Sequence, residues 1–191
     1  MLGWFQKKPQ TVYEAVKRGY DIGEPGQGGL LEYQVLRGER EVFPCNTEAL
    51  DAAILAYFAG EWASLEKIQN FFKKHLALEA IPNFEHWLYG GDRMDRPMLG
   101  LSILLMRDSQ VVEAVKFGIY LSIYYDLHQA PGALKIVQIL GKDPHFSYYA
   151  LEAFLRSSQG TVLFYDLGQK LEGLAKDIYE YRARQLFEEK E

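Results

Sequence analysis

The chain contains very little cysteine. Its 191 residues include a single one, Cys45, so no disulfide can form within the chain. A lone cysteine beside a proline is typical of a small packed residue rather than of a nucleophile. The first nine residues place a few apolar side chains before Lys7 and Lys8, which reverses the order of a secretory signal. We therefore expect a cytoplasmic protein.

Excess positive charge and long apolar runs are also missing. The chain has 21 lysines and arginines against 26 aspartates and glutamates, which gives a formal net charge of -5. Nonspecific nucleic-acid binders usually carry a basic excess that neutralises phosphates. The longest apolar run, residues 52–59, is far shorter than the roughly 20 residues that cross a bilayer. We expect neither a nucleic-acid nor a membrane partner.

The usual motifs of metal binding and nucleotide binding are absent as well. There is no His-Glu-x-x-His and no cysteine pair, and the glycines of residues 23–29 lack the Lys-Ser/Thr pair of a P-loop. His75 and Glu79 lie one helical turn apart and could share an ion, but two ligands do not form a site, and an exposed i,i+4 pair explains them. The sequence therefore predicts no metal and no cofactor.

A near-repeat 35 residues long is the clearest positive feature. The apolar and turn positions that match between its two copies are Leu99, Leu101, Leu104, Leu105, Asp108, Val111 and Ile119, then Leu134, Ile136, Ile139, Leu140, Asp143, Phe146 and Phe154. A fixed period of this length is produced by stacked helix pairs, each of which needs a like neighbour to bury its apolar face. We predict an all-α chain, a single domain of residues 1–191 built from stacked antiparallel helical hairpins like an α-solenoid.

Helical spacing and capping residues divide this domain into three parts. Residues 1–45 combine a helix over 11–18 with a Gly-rich loop, followed by either a short helix or a β-hairpin over 31–43. Residues 46–158 form three hairpins, with an insertion over 77–96 that carries a short helix near 84–88. Asp95, Ser109 and Asp143 are the predicted caps in this part. One long helix over 162–189, within a capping segment 161–191, covers the end of the stack.

The inter-helix turns of the two copies resemble those of HEAT-type repeats. The resemblance lies in residues 104–111 and 139–146, each of which leads into a helix with Ala114 or with Ala150 and Ala153. It implies a curved stack of helix pairs, which such proteins often use as a protein-binding surface. No catalytic residue follows from it.

A tyrosine-rich stripe gives the best candidate for binding. On the helix after Ser109, charged and aromatic positions recur at intervals of three and four, and the next hairpin continues the pattern. The predicted protein-binding residues are Glu113, Lys116, Tyr120, Tyr124, Tyr148, Glu152 and Arg156. Alternatively, these tyrosines fill the groove between the hairpins.

A second candidate site lies in the insertion. Glu85, His86, Asp92 and Arg93 could supply a base, an acid and an anion clamp, roofed by the glycines of residues 23–29. A solvated turn explains the same residues. We expect no catalytic residue, and a small enzyme at this site is the alternative hypothesis.

The leading hypothesis is a non-enzymatic module that binds another protein. An inhibitor or immunity-type role fits the acidic net charge, since charge complementarity speeds the encounter with a basic partner. A homo-oligomeric structural subunit is a further alternative, with dimerisation through the C-terminal seam of Phe164, Leu167, Leu171, Leu174, Ile178 and Tyr181.

Overall fold

A computed structural model describes residues 9–23, 28–90 and 95–187, the side chains of residues 95 and 96 excepted. All regular secondary structure in these ranges is helical, and they contain no strand. The predicted all-α class is therefore confirmed.

The N-terminal part contains two short helices, α1 (Val12–Lys17) and α2 (Leu30–Leu36). The hydroxyl of Thr11 accepts a hydrogen bond from the Glu14 amide at 3.2 Å and caps α1, as the predicted helix over 11–18 requires. Of the two alternatives for residues 31–43, the helix is correct and the β-hairpin is wrong. Gly38, with φ of +71°, ends α2, and the chain that follows runs as an irregular connector instead of pairing back.

The first predicted hairpin forms from α3 (Glu48–Phe58) and α4 (Ser64–Phe72). The side chain of Asn46 accepts from the Glu48 amide at 2.8 Å at the start of α3. The helix predicted near 84–88 is too short, because α5 spans Ala77–Tyr89 and begins before Pro82. Its start is fixed by the carboxylate of Glu79, which accepts from the Leu76 amide at 3.1 Å.

The two copies of the repeat form α6 (Asp95–Asp108) with α7 (Val112–Leu121), and α8 (Pro131–Leu140) with α9 (Pro144–Leu155). Helix α7 packs against α9, and α6 packs against α8. Asp143 caps α9 as predicted, accepting from the His145 amide at 3.0 Å. Ser109 does not cap α7, because that helix begins at Val112 and the Ser109 hydroxyl accepts from the Val111 amide at 3.0 Å in the preceding turn. Asp95, predicted as a cap, is already the first residue of α6.

Neighbouring elements modify the simple stack. Helix α1 packs on α6 and α8, while α2 packs on α9 and on the C-terminal helix. The two hairpins of the repeat are thus partly covered by helices that do not belong to them. The solenoid arrangement stays a prediction.

The prediction of one long C-terminal helix over 162–189 is wrong. The segment is broken into α10 (Gly160–Gly168) and α11 (Gly173–Phe187). Gly173 has φ of +54°, and Gly168 lies so close to the Tyr179 ring that a Cβ would be 2.2 Å from it. Both helices pack on α9, with Leu171 and Ile178 of the seam buried against the rest of the chain.

Three buried phenylalanines of the core meet where α4 and α5 pack against α7. The rings of Phe72 and Phe84 lie 4.8 and 5.0 Å from that of Phe117, measured between centroids, and all three are buried. These contacts fix the position of α5 relative to α7. None of the described helices combines the length and apolar character that a membrane crossing demands.

Candidate functional site

A groove of about 520 Å³ lies beside this core. We call it the central groove. Helices α5, α7 and α9 form its walls, together with the 3₁₀ turn that follows α7. The connector after α2 forms one rim. Its lining residues are Val35, Arg40, Glu41, Val42, Phe43, Leu78, Ile81, Pro82, Glu85, Tyr120, Ile123, Tyr148, Tyr149, Glu152 and Arg156. Mostly apolar walls with a few polar groups are typical of a binding site of this size.

One wall of the central groove carries a chain of hydrogen bonds. The Tyr120 hydroxyl donates to the carboxylate of Glu85, and its oxygen lies 2.9 Å from the Tyr124 hydroxyl oxygen. Because Tyr120 has only one proton to donate, Tyr124 is the donor in the second bond. Burial raises the pKa of both phenols well above the ordinary value, and its hydrogen bonds raise the pKa of Tyr120 further, whereas the bond with Tyr120 partly offsets the effect of burial on Tyr124. Both therefore remain protonated at neutral pH and hold Glu85 in place.

Glu85 forms no ion pair within the part of the chain that the structure describes. A second acidic residue of the groove, Glu152, differs because it binds the guanidinium of Arg182 through both oxygens at 2.6 and 3.3 Å. Tyr148 lines the same groove, and burial raises the pKa of its phenol to about 12. Arg156 is exposed at the rim. Glu85 is thus a carboxylate of the groove that has no ion-pair partner among the described residues.

The remaining charged residues of the predicted stripe turn inward. Lys116 is only 6% exposed, and its Nζ lies 2.7 Å from carboxylate oxygens of both Glu32 and Glu113. Tyr149 donates to the same oxygen of Glu32 at 3.2 Å, and Glu113 also accepts from the Ala77 amide at 2.8 Å. Lys116 therefore connects α2, α5 and α9 to α7 instead of facing solvent.

The structure brings four predicted binding residues, Tyr120, Tyr148, Glu152 and Arg156, into the central groove. Tyr124 reaches it through Tyr120, whereas Glu113 and Lys116 lie in the buried ion network. The tyrosines therefore fill and line a concavity between helices, which is the alternative that the sequence left open.

The second candidate site is not assembled as predicted among the described residues. Glu85 lines the central groove, but His86 is exposed and does not line it, and Asp92 and Arg93 fall outside the described residues. Two of the three described glycines of the Gly-rich loop lie against a different histidine: a Cβ on Gly23 or Gly28 would be 2.7 or 2.2 Å from the ring of His145, whereas Gly29 lies against the backbone of Pro144. The predicted roof over His86 is therefore wrong for these two glycines.

Sequence reasoning missed two contributors. Glu32 is 2% exposed and balances Lys116, but its position in an ambiguous segment gave no signal of burial. The connector residues from Arg40 to Phe43 form the rim of the central groove, and Phe43 is 77% exposed.

Comparison of the chain with protein-family models, with curated proteins and with solved structures finds no match. The resemblance to HEAT-type repeats stays a prediction, and the site has to be interpreted from its own geometry.

Proposed function

We propose that the protein is a non-enzymatic binding module whose central groove receives a lysine or arginine side chain of a protein partner. The observation that carries this proposal is the Glu85 carboxylate, which accepts from Tyr120, itself bonded to Tyr124, on a mostly apolar wall and has no ion-pair partner among the described residues.

A cationic side chain complements this wall in two ways. Its methylene stem packs against apolar residues such as Leu78, Ile81 and Ile123, and its charged end reaches Glu85. A hydrogen bond between charged groups is stronger in such partly desolvated surroundings than in water. The groove therefore favours an amphipathic stem with a positive end.

The rim supports a protein partner rather than a small ligand. Phe43 offers a large exposed ring, and Arg40 and Arg156 are exposed guanidinium groups that can donate to backbone carbonyls of a partner. Aromatic residues and arginines of this kind commonly surround a buried anchor at interfaces.

The finer form of the proposal is an inhibitor or immunity-type role against a basic partner, on the scaffold of stacked hairpins. The net charge of -5 supports it, because long-range attraction raises the rate at which oppositely charged proteins meet.

Peptide titration tests the proposal without knowledge of the natural partner. A panel of short peptides carries one arginine or lysine between aliphatic residues, and matched peptides carry norleucine at that position. Affinities are measured by calorimetry for the wild type, Glu85→Gln and Tyr120→Phe, with Glu66→Gln on the exposed side of α4 as control.

The cationic peptides should bind the wild type, and Glu85→Gln should weaken them by about 10- to 100-fold, since losing a charged hydrogen bond costs roughly 1.5–3 kcal/mol. Tyr120→Phe should weaken them less, and Glu66→Gln should leave them unchanged. Equal affinity for norleucine peptides, or equal binding by Glu85→Gln, would contradict the proposal.

A further inference from the structure

Three side chains with metal-binding atoms converge on the side of the molecule where α5 begins. They are Cys45 from the connector before α3, His75 from the turn between α4 and α5, and Glu79 from the first turn of α5. One donor atom from each lies within 4.8 Å of the other two. The sequence showed only the last two as a pair, because Cys45 is 30 residues away along the chain from His75.

Hydrogen bonds of the backbone hold the segment that carries Cys45 against α5. The Cys45 amide donates to the backbone carbonyl of Glu79 at 2.9 Å, and the Asn83 side chain donates to the carbonyl of Cys45 at 2.8 Å. The His75 ring stacks on Phe71, with centroids 4.5 Å apart and an interplanar angle of 29°. The positions of all three donors are therefore set by contacts that do not involve an ion.

The side chains themselves leave room for a shared ion. His75 Nδ1 lies 3.9 Å from Glu79 Oε2, which is too long for a hydrogen bond. That oxygen accepts from the Leu76 amide at 3.1 Å, the kind of outer contact that orients a ligating carboxylate. A carboxylate oxygen has more than one lone pair, so this oxygen can ligate an ion while it accepts from the Leu76 amide.

We propose that Cys45, His75 and Glu79 bind one divalent metal ion of the Zn²⁺ class. A thiolate, a neutral imidazole and a carboxylate are the ligands that Zn²⁺ prefers, and a thiolate disfavours Mg²⁺ and Ca²⁺. The two anionic ligands balance the charge of the ion. All three residues are partly exposed, so the fourth position is open to solvent and the ion can enter.

Metal titration of the full chain without a histidine tag tests the site. The protein is stripped with a chelator and titrated with Co²⁺, which reports a thiolate ligand through a charge-transfer absorption band, and with Zn²⁺ in competition with a chromophoric chelator. In parallel, alkylation of Cys45, the single cysteine of the chain, is timed with and without one equivalent of Zn²⁺.

The variants are Cys45→Ser, His75→Ala and Glu79→Gln, with His128→Ala as control because His128 is exposed and lies in the turn before α8. Glu79→Gln retains a carbonyl oxygen that can accept from Leu76, so it removes the ligand charge without removing the cap. Far-ultraviolet circular dichroism checks that each variant is folded.

One equivalent of Co²⁺ should produce the charge-transfer band in the wild type, and one equivalent of Zn²⁺ should slow alkylation at least tenfold. Cys45→Ser should lose the band, His75→Ala and Glu79→Gln should bind Zn²⁺ at least about tenfold more weakly, and His128→Ala should match the wild type. A missing band in folded wild type, unchanged Zn²⁺ affinity in Cys45→Ser, or equal weakening by His128→Ala would overturn the proposal.

Discussion

Replacement of Lys116 by methionine should destabilise the protein far more than replacement of an exposed lysine. Methionine keeps most of the volume of the side chain but leaves the carboxylates of Glu32 and Glu113 without their cation, and Glu32 is only 2% exposed. Removing one partner of a buried ion pair costs about 3–5 kcal/mol. For a domain of this size, that corresponds to a decrease in Tm of about 6–20 °C. Lys135→Met, at an exposed position on α8, should change Tm little.

A double-mutant cycle makes this prediction refutable. Glu32→Gln should destabilise the wild type, because it removes the charge that balances Lys116. The same change should stabilise Lys116→Met, because a neutral amide replaces an unpaired buried carboxylate and can still accept from Tyr149. Urea unfolding of the four proteins gives the free energies. If Glu32→Gln changes the free energy of unfolding in the same direction in both backgrounds, Lys116 and Glu32 do not form an energetically coupled pair.

The pH dependence provides a second check on the pair. Burial alone would lower the pKa of Lys116, but Glu32 and Glu113 raise it above its ordinary value. Because the pKa is higher in the folded state, the contribution of the lysine is complete below the unfolded pKa of about 10.4 and is lost as pH rises through the folded pKa. The difference in stability between the wild type and Lys116→Met should therefore be constant from pH 7 to about 9 and decrease above about pH 10.

Two further predictions concern packing and capping. Gly118→Ala should lower the free energy of unfolding in urea by roughly 1–3 kcal/mol, because the added Cβ would lie 2.8 Å from the Cβ of Leu105 on α6. Gly132→Ala is the control: a Cβ there would have no neighbouring atom within 4 Å, so the change should be neutral or slightly stabilising. Asp126→Ala should lower Tm at pH 7, because the Asp126 carboxylate accepts from Ser157 at 2.8 Å. That bond, with others, holds the pKa of Asp126 well below its ordinary value. The difference from the wild type should be complete above about pH 4, the ordinary aspartate value, and should decrease progressively as pH falls from there towards the much lower folded pKa.

Local signals in the sequence were sufficient for most helices. The Asp143 cap followed by a proline placed the start of α9, and Thr11 placed the start of α1. The C-terminal break was hidden for a physical reason: Leu167, Leu171 and Ile178 keep helical spacing across the turn because both helices bury the same side against α9. Spacing alone therefore cannot distinguish one long helix from two short helices that share a partner.

The face presented by Lys116 could not be predicted from α7 alone. Lysine at a regular helical interval normally faces solvent, but the cover over this face comes from Glu32, which lies 84 residues earlier in the chain. The same long-range cover, extended by the connector that ends at Phe43, makes the predicted tyrosine-rich stripe part of the wall of a concavity. Burial of a helix face is thus decided by elements whose own periodicity is weak.

The concave shape changes what kind of recognition is expected. If the tyrosines lay on an open helix face, many weak contacts with a partner would share the binding energy. The central groove instead suits one anchoring side chain of a partner that contacts Glu85 on the wall. Glu85 came from the candidate catalytic cluster and Tyr120 from the candidate binding stripe, and their hydrogen bond joins the two sets in one site. Because the Tyr120 proton is committed to Glu85, the carboxylate is fixed in place before a ligand arrives, which lowers the entropy cost of binding. Substitutions at Glu85 should therefore outweigh those at Arg156 on the rim, as expected for an anchor pocket surrounded by weaker contacts.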